Sequence, residues 1–129
     1  MASELYDKGM KIRREVLGDD YVDRAMAGVD DFSRDFQQMV TEHAWGGIWA
    51  RPGLAKKQRS LINLAMLAAL NRAEEFELHF RGALNNGCTL EELKETLLQI
   101  AVYCGMPAGV GAFRIARKIL TERKPSGST

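Results

Sequence analysis

The sequence has no surplus of charge and few of the residues that assemble metal or redox sites. Eighteen Lys and Arg against 17 Asp and Glu leave a formal charge of +1, with two histidines and two cysteines among 129 residues. A near-neutral chain has no bulk attraction for nucleic acid or an anionic membrane, so neither is expected as a partner. No apolar run reaches the roughly 18 residues that a membrane span requires. The longest, Leu61–Leu70, is interrupted by Asn63. The opening stretch MASELYDKGMKIRREV mixes charges of both signs around no apolar segment, which predicts no signal peptide. Cys88 and Cys104 stand apart and suit free thiols in a reducing compartment, so a cytoplasmic location is expected; Cys104, in apolar surroundings before Gly105, is expected to pack. There is no Cys-x-x-Cys and no His-Glu-x-x-His, and His43 is far from His79, so a metal site has little support. Gly109-Val110-Gly111 is too short for a phosphate cradle.

Strand-like alternation is also missing, and apolar residues recur at helical spacing instead. The pattern predicts a single all-α domain over residues 1–129, with a frayed tail from about residue 123 (Lys124–Thr129, KPSGST). A first helix over Ser3–Leu17 carries Leu5, Ile12 and Val16 on one stripe, weakened by Gly9. Gly18-Asp19-Asp20 breaks it. Further helices are expected over Asp20–Gly28 and over Val29–Thr41, the latter carrying Phe32, Phe36, Met39 and Val40. Gly46-Gly47 and Pro52-Gly53 mark Glu42–Leu54 as a loop. Ala55–Leu70 reads as a buried central helix, being apolar on more than one side. Asn71 with Glu74 makes a capping-box pattern for the next helix, and Asn86-Gly87 supplies its left-handed exit. Thr89 with Glu92 repeats the box for a helix to Tyr103. Gly105 ends that helix, and Pro107 opens a last one to about Glu122. Small residues at Ala65, Ala68 and Ala69, and again from Gly105 to Ala112, allow close helix packing within the chain or between copies of it.

Chemistry concentrates in Asn71–Thr89. Arg72, Glu75 and His79 fall three and four residues apart on one helix face. A carboxylate one turn before an imidazole can hold it and raise its pKa, which favours a proton donor near neutrality. Arg72, near the helix start, adds a cation where an anion is already favoured. The same spacing also describes a solvated ion pair worth about 0.3–0.5 kcal/mol. Upstream, Trp45 and Trp49 share one Gly-rich segment; they either wall a dry pocket or staple that segment to the core. Arg51 and Arg59 flank Pro52-Gly53 and offer paired donors to a carboxylate.

Three stretches together resemble the carboxymuconolactone decarboxylase family, whose wider membership includes alkylhydroperoxidase D-like proteins. They are EHAWGGIWARPGL (Glu42–Leu54), RSLINLAMLAALNRAEEFELHFRGALNNGCT (Arg59–Thr89) and EELKETLLQIAVYCGMPAG (Glu91–Gly109). The redox members would place a Glu at Ser60 and cysteines at Arg72 and Glu75, keeping only the histidine at 79. A thiol peroxidase at this site is thereby excluded. The resemblance implies a cofactor-free decarboxylation of 4-carboxymuconolactone to the enol-lactone of 3-oxoadipate, within protocatechuate breakdown. It also implies a homohexamer, a ring of three dimers. On this reading His79, positioned by Glu75, donates the proton or stabilises the dienolate. Glu42 is an alternative acid, Arg51 or Arg72 binds the retained carboxylate, and Trp45 and Trp49 form the dry wall. A related cofactor-free enzyme on another lactone or small acid, or a non-catalytic helical oligomer, are the alternatives.

Overall fold

Ser3 opens the described chain by capping the helix that follows it: its side-chain oxygen accepts from the Tyr6 N–H at 3.0 Å. The structure is a computed structural model and describes residues 3–123; the predicted tail Lys124–Thr129 lies outside them. The backbone clusters into two compact units, Met1–Arg59 and Ser60–Thr129. All regular elements among the described residues are helical, as the sequence pattern predicts.

In the first unit α1 (Glu4–Leu17) ends at Gly18, whose φ of 90° is the left-handed region that favours glycine, and α2 (Asp19–Ala27) follows at once. The third predicted helix is shorter than expected. Residues 29–33 form a turn in which Asp30 accepts from the Ser33 N–H at 3.0 Å and from its hydroxyl at 3.1 Å. Those bonds hold the Asp30 carboxyl below its ordinary pKa. Phe32 on this turn is almost fully exposed rather than part of an apolar stripe.

After α3 (Arg34–Met39) the chain continues as a π-helix over Val40–Trp49, where the sequence predicts a loop. The reason lies in two glycines that act through contact. A Cβ on Gly9 would lie 2.0 Å from the Thr41 carbonyl oxygen, and one on Gly46 would lie 2.4 Å from the Leu5 carbonyl oxygen. Side-chain-free positions let α1 and the π-helix touch backbone to backbone. Gly46 is therefore a packing residue and no helix breaker; irregular chain is confined to residues 50–55. Arg13 is buried in the same unit, its Nη1 donating to Gln37 Oε1 at 3.1 Å and Thr41 Oγ1 at 3.3 Å. Burial pushes its pKa down.

α4 (Lys56–Ala69) runs from the first unit into the second, where α5 (Ala73–Asn85), α6 (Leu90–Cys104) and α7 (Met106–Glu122) follow. The core here includes Leu64, Phe76, Phe80, Leu97, Ile100 and Ile119. Gly109 brings α7 against α6, since a Cβ there would lie 2.5 Å from that of Ala101. The Thr89–Glu92 capping box forms in both directions, at 3.0 and 2.8 Å. Gly87 (φ 88°) ends α5 with the two bonds of a Schellman turn, Cys88 N–H to Ala83 C=O and Gly87 N–H to Leu84 C=O, both 3.0 Å.

Two expectations for this region need correction. Asn71 does not cap α5; it closes α4. Its φ is 60°, and the bonds Arg72 N–H to Leu67 C=O (2.9 Å) and Asn71 N–H to Ala68 C=O (3.2 Å) repeat the Schellman pattern. Asn suits a helix N-cap and a left-handed exit equally, and the latter prevails here. Nor is α4 buried all round: Ser60 and Leu64 are inside, whereas Ile62 and Met66 are exposed, as is Leu70 just past its end.

Candidate active site

His79 stands at the middle of α5, between the buried rings of Phe76 and Phe80 in sequence. The imidazole is half-buried, and Asn63 Nδ2, reaching over from α4, lies 3.5 Å from its Nδ1. Desolvation dominates its titration: burial pulls the pKa from 6.5 down to about 4, against the opposing pull of the Glu75 charge. The expectation of a raised pKa is thus reversed. Glu75 is exposed, so its attraction acts partly through water and is too weak to offset the loss of hydration. At pH 7 His79 is a neutral imidazole.

Arg72 is exposed at the N-cap of α5 and makes no side-chain capping bond. It lines a cavity of about 80 Å³ with Asn71, Phe76 and Pro107, which neither Glu75 nor His79 borders. Ser60, where redox relatives would have a carboxylate, is fully buried and accepts from Asn86 Nδ2 at 2.9 Å. Cys88 is buried and Cys104 exposed, and neither forms a disulfide among the described residues. The expected packing role of Cys104 fails because it sits on the open side of α6.

In the first unit the π-helix carries Glu42, Trp45 and Trp49. Glu42 accepts from the Ser3 hydroxyl at 2.7 Å. The indoles of Trp45 and Trp49 stack with centroids 4.9 Å apart, and both are buried (5% and 7% exposed). Arg51 is exposed just beyond, its carbonyl accepting from Arg59 Nη2 at 3.4 Å. His43 is exposed as well. Among the described residues no group of three or more His, Cys, Asp or Glu is placed to hold a metal ion, and no helix is long and apolar enough to cross a membrane.

Sequence reasoning missed Asn63 as a neighbour of His79. Its only signal was a carboxamide interrupting the apolar run of α4.

Residues 34–118 match the model of the Carboxymuconolactone decarboxylase family. The chain belongs to this family. It is 41% identical over 117 residues to the 4-carboxymuconolactone decarboxylase of Acinetobacter baylyi, covering 91% of this chain and 87% of that one. It is 42% identical over 123 residues to the nitrosuccinic acid decarboxylase of Metarhizium robertsii, covering 95% and 86%. A 4-carboxymuconolactone decarboxylase from Pseudomonas putida is 54% identical over 41 residues, 32% of this chain and 85% of that one. The family match runs from the first residue of α3 into the last turns of α7, so it takes in Glu42, both tryptophans and His79. As a member with decarboxylases at this similarity over nearly its whole length, the protein is an enzyme of the decarboxylase class.

Proposed function

We propose that the protein decarboxylates 4-carboxymuconolactone to the enol-lactone of 3-oxoadipate without a cofactor. The observation that carries this reading is the 41% identity along 91% of the chain to an enzyme named for that substrate. The chemistry is self-sufficient. When the carbon–carboxylate bond breaks, its electron pair moves through the ring C=C onto the lactone carbonyl oxygen and carbon dioxide leaves. A proton then adds to the ring carbon beside the carbonyl. The protein has to keep water from the leaving carboxylate, stabilise charge on the carbonyl oxygen and supply the proton.

A neutral, desolvated His79 fits the second task. It donates a hydrogen bond to the developing dienolate oxygen, and its lowered pKa supports this role over that of an ionised acid. Glu75 contributes the field that partly offsets burial. The proton then comes from another acid, for which Glu42 is the candidate by residue chemistry. Arg51 or Arg72 binds the carboxylate that is retained, and the stacked Trp45 and Trp49 give an apolar backing. In the cell this activity would serve aromatic breakdown in the cytoplasm.

A second reading has its own support in the 42% identity to a nitrosuccinic acid decarboxylase. Nitrosuccinate is also a dicarboxylate, with a nitro group to take the electron pair as a nitronate. Ultraviolet assays of purified protein on both acids, with a chelator present, decide between them. Loss of 4-carboxymuconolactone with little turnover of nitrosuccinate supports the first reading; the reverse result replaces it with the second.

The proposal extends to assembly. Ile62, Met66, Leu98, Val102, Tyr103 and Val110 are exposed on α4, α6 and α7, apolar side chains of the kind that helix–helix contacts between copies would cover. A groove of about 300 Å³ lies among them, lined by Ile62 and Tyr103. Helix packing through these faces would build the homohexamer.

A further inference from the structure

Asn63 interrupts the apolar stretch of α4 and is half-buried, a position where a carboxamide is costly unless it is hydrogen-bonded. Positions 60 and 63 share one face of α4, and position 79 lies on α5 with Asn86 at that helix's C-cap. The two helices are consequently bridged twice. The bridge from Asn86 Nδ2 to Ser60 Oγ, at 2.9 Å, has no titratable member and acts as a structural clasp. The bridge between Asn63 Nδ2 and His79 Nδ1, at 3.5 Å, ends on the imidazole. Where the amide N–H donates across this contact, Nδ1 offers its lone pair and the ring proton resides on Nε2.

We infer that Asn63 is a positioning residue for His79, donating to Nδ1 and so fixing the ring as the Nε2–H tautomer that presents a hydrogen-bond donor to the substrate. The inference rests on His79 as the dienolate stabiliser. Protonation would put an N–H on Nδ1 facing the amide donor, so the contact opposes an imidazolium. Burial of the ring acts in the same direction and Glu75 against it. A ring held this way lends a hydrogen bond and keeps its proton, because release from Nε2 would leave an imidazolate. Charge stabilisation with no proton to recover afterwards is what a donor to a transient enolate oxygen requires.

Nitrogen-15 spectra of histidine-labelled protein without substrate test this directly. With two histidines in the chain, the exposed His43 serves as the internal reference. At pH 7 the His79 signals should show a bare Nδ1 and a protonated Nε2. In Asn63→Leu they should shift toward the tautomer mixture of His43. In Asn63→Asp the carboxylate accepts from Nδ1–H, the proton changes nitrogen and the titration midpoint rises. The Asp variant should lose about tenfold or more in kcat with KM little changed, since an imidazole in the wrong tautomer forfeits transition-state stabilisation. A wild-type ring protonated at Nδ1, or an unchanged ring in Asn63→Leu, would overturn the inference. Full turnover by His79→Ala, with the wild-type tautomer as expected, would instead overturn the catalytic reading and leave the tautomer assignment standing.

Discussion

Gly9 and Thr41 meet backbone to backbone, so closely that a Cβ on the glycine would lie 2.0 Å from the threonine carbonyl oxygen and 2.8 Å from the Gly46 nitrogen. No rotamer change relieves a clash with main-chain atoms. Gly9→Ala should therefore destabilise the protein despite the better helix propensity of alanine. Overpacking of this kind costs about 1–3 kcal/mol, against a propensity gain of under about 1 kcal/mol. Urea denaturation would check it, and a midpoint equal to or above that of the parent would contradict the contact.

His79 gives a pH signature with a definite sign. Its pKa is about 4 in the folded chain and 6.5 as the ordinary value. Between those values the unfolded chain binds the proton more readily, so stability is fully present above pH 6.5 and is lost as pH falls toward 4. His79→Asn should flatten that part of the stability profile. In the parent enzyme, kcat/KM should show no histidine titration near 6.5 and should fall only toward pH 4. A profile that breaks at 6.5 would show the ring ionising as an ordinary histidine.

His79→Ala should lower turnover of 4-carboxymuconolactone by about 10²-fold or more, the loss typical of removing one donor to a developing oxyanion. Turnover within about tenfold of the parent would remove His79 from the reaction.

Arg51→Ala should raise KM about tenfold or more with kcat nearly unchanged, because a charge-assisted bond to the retained carboxylate contributes about 1.5–3 kcal/mol to ground and transition state alike. Arg72→Ala is the matched comparison. An unchanged KM for Arg51→Ala together with a raised one for Arg72→Ala would assign the carboxylate to Arg72.

Light scattering should report a multiple of the 14.4 kDa chain at micromolar concentration, and Val102→Glu should reduce it by placing a charge on the exposed apolar face of α6. A monomeric parent would contradict assembly through that face.

Local chemistry made much of the fold legible. The Thr89 cap, the Asn86-Gly87 exit and Pro107 each act within one helical turn, so sequence suffices to place them. Signals with two meanings misled. Asn71 could open one helix or close another, and Gly46 could break a helix or admit a neighbour. For the candidate site, the residues on α5 were visible from spacing, but the ionisation of His79 was not. It depends on how many atoms surround the ring, and Asn63 approaches from a different helix.

The contact at Gly9 bears on more than stability. Thr41 O and Gly46 N are five residues apart, the separation that π-helical hydrogen bonding joins. Gly9 is thus pressed against the wide turn that sets the winding of Val40–Trp49 and the direction of Glu42. The first helix lies outside the residues matched by the family model, yet it acts as a splint for a segment inside them. Removing it would free that wide turn to tighten into an ordinary α-helix and rotate the acid it carries.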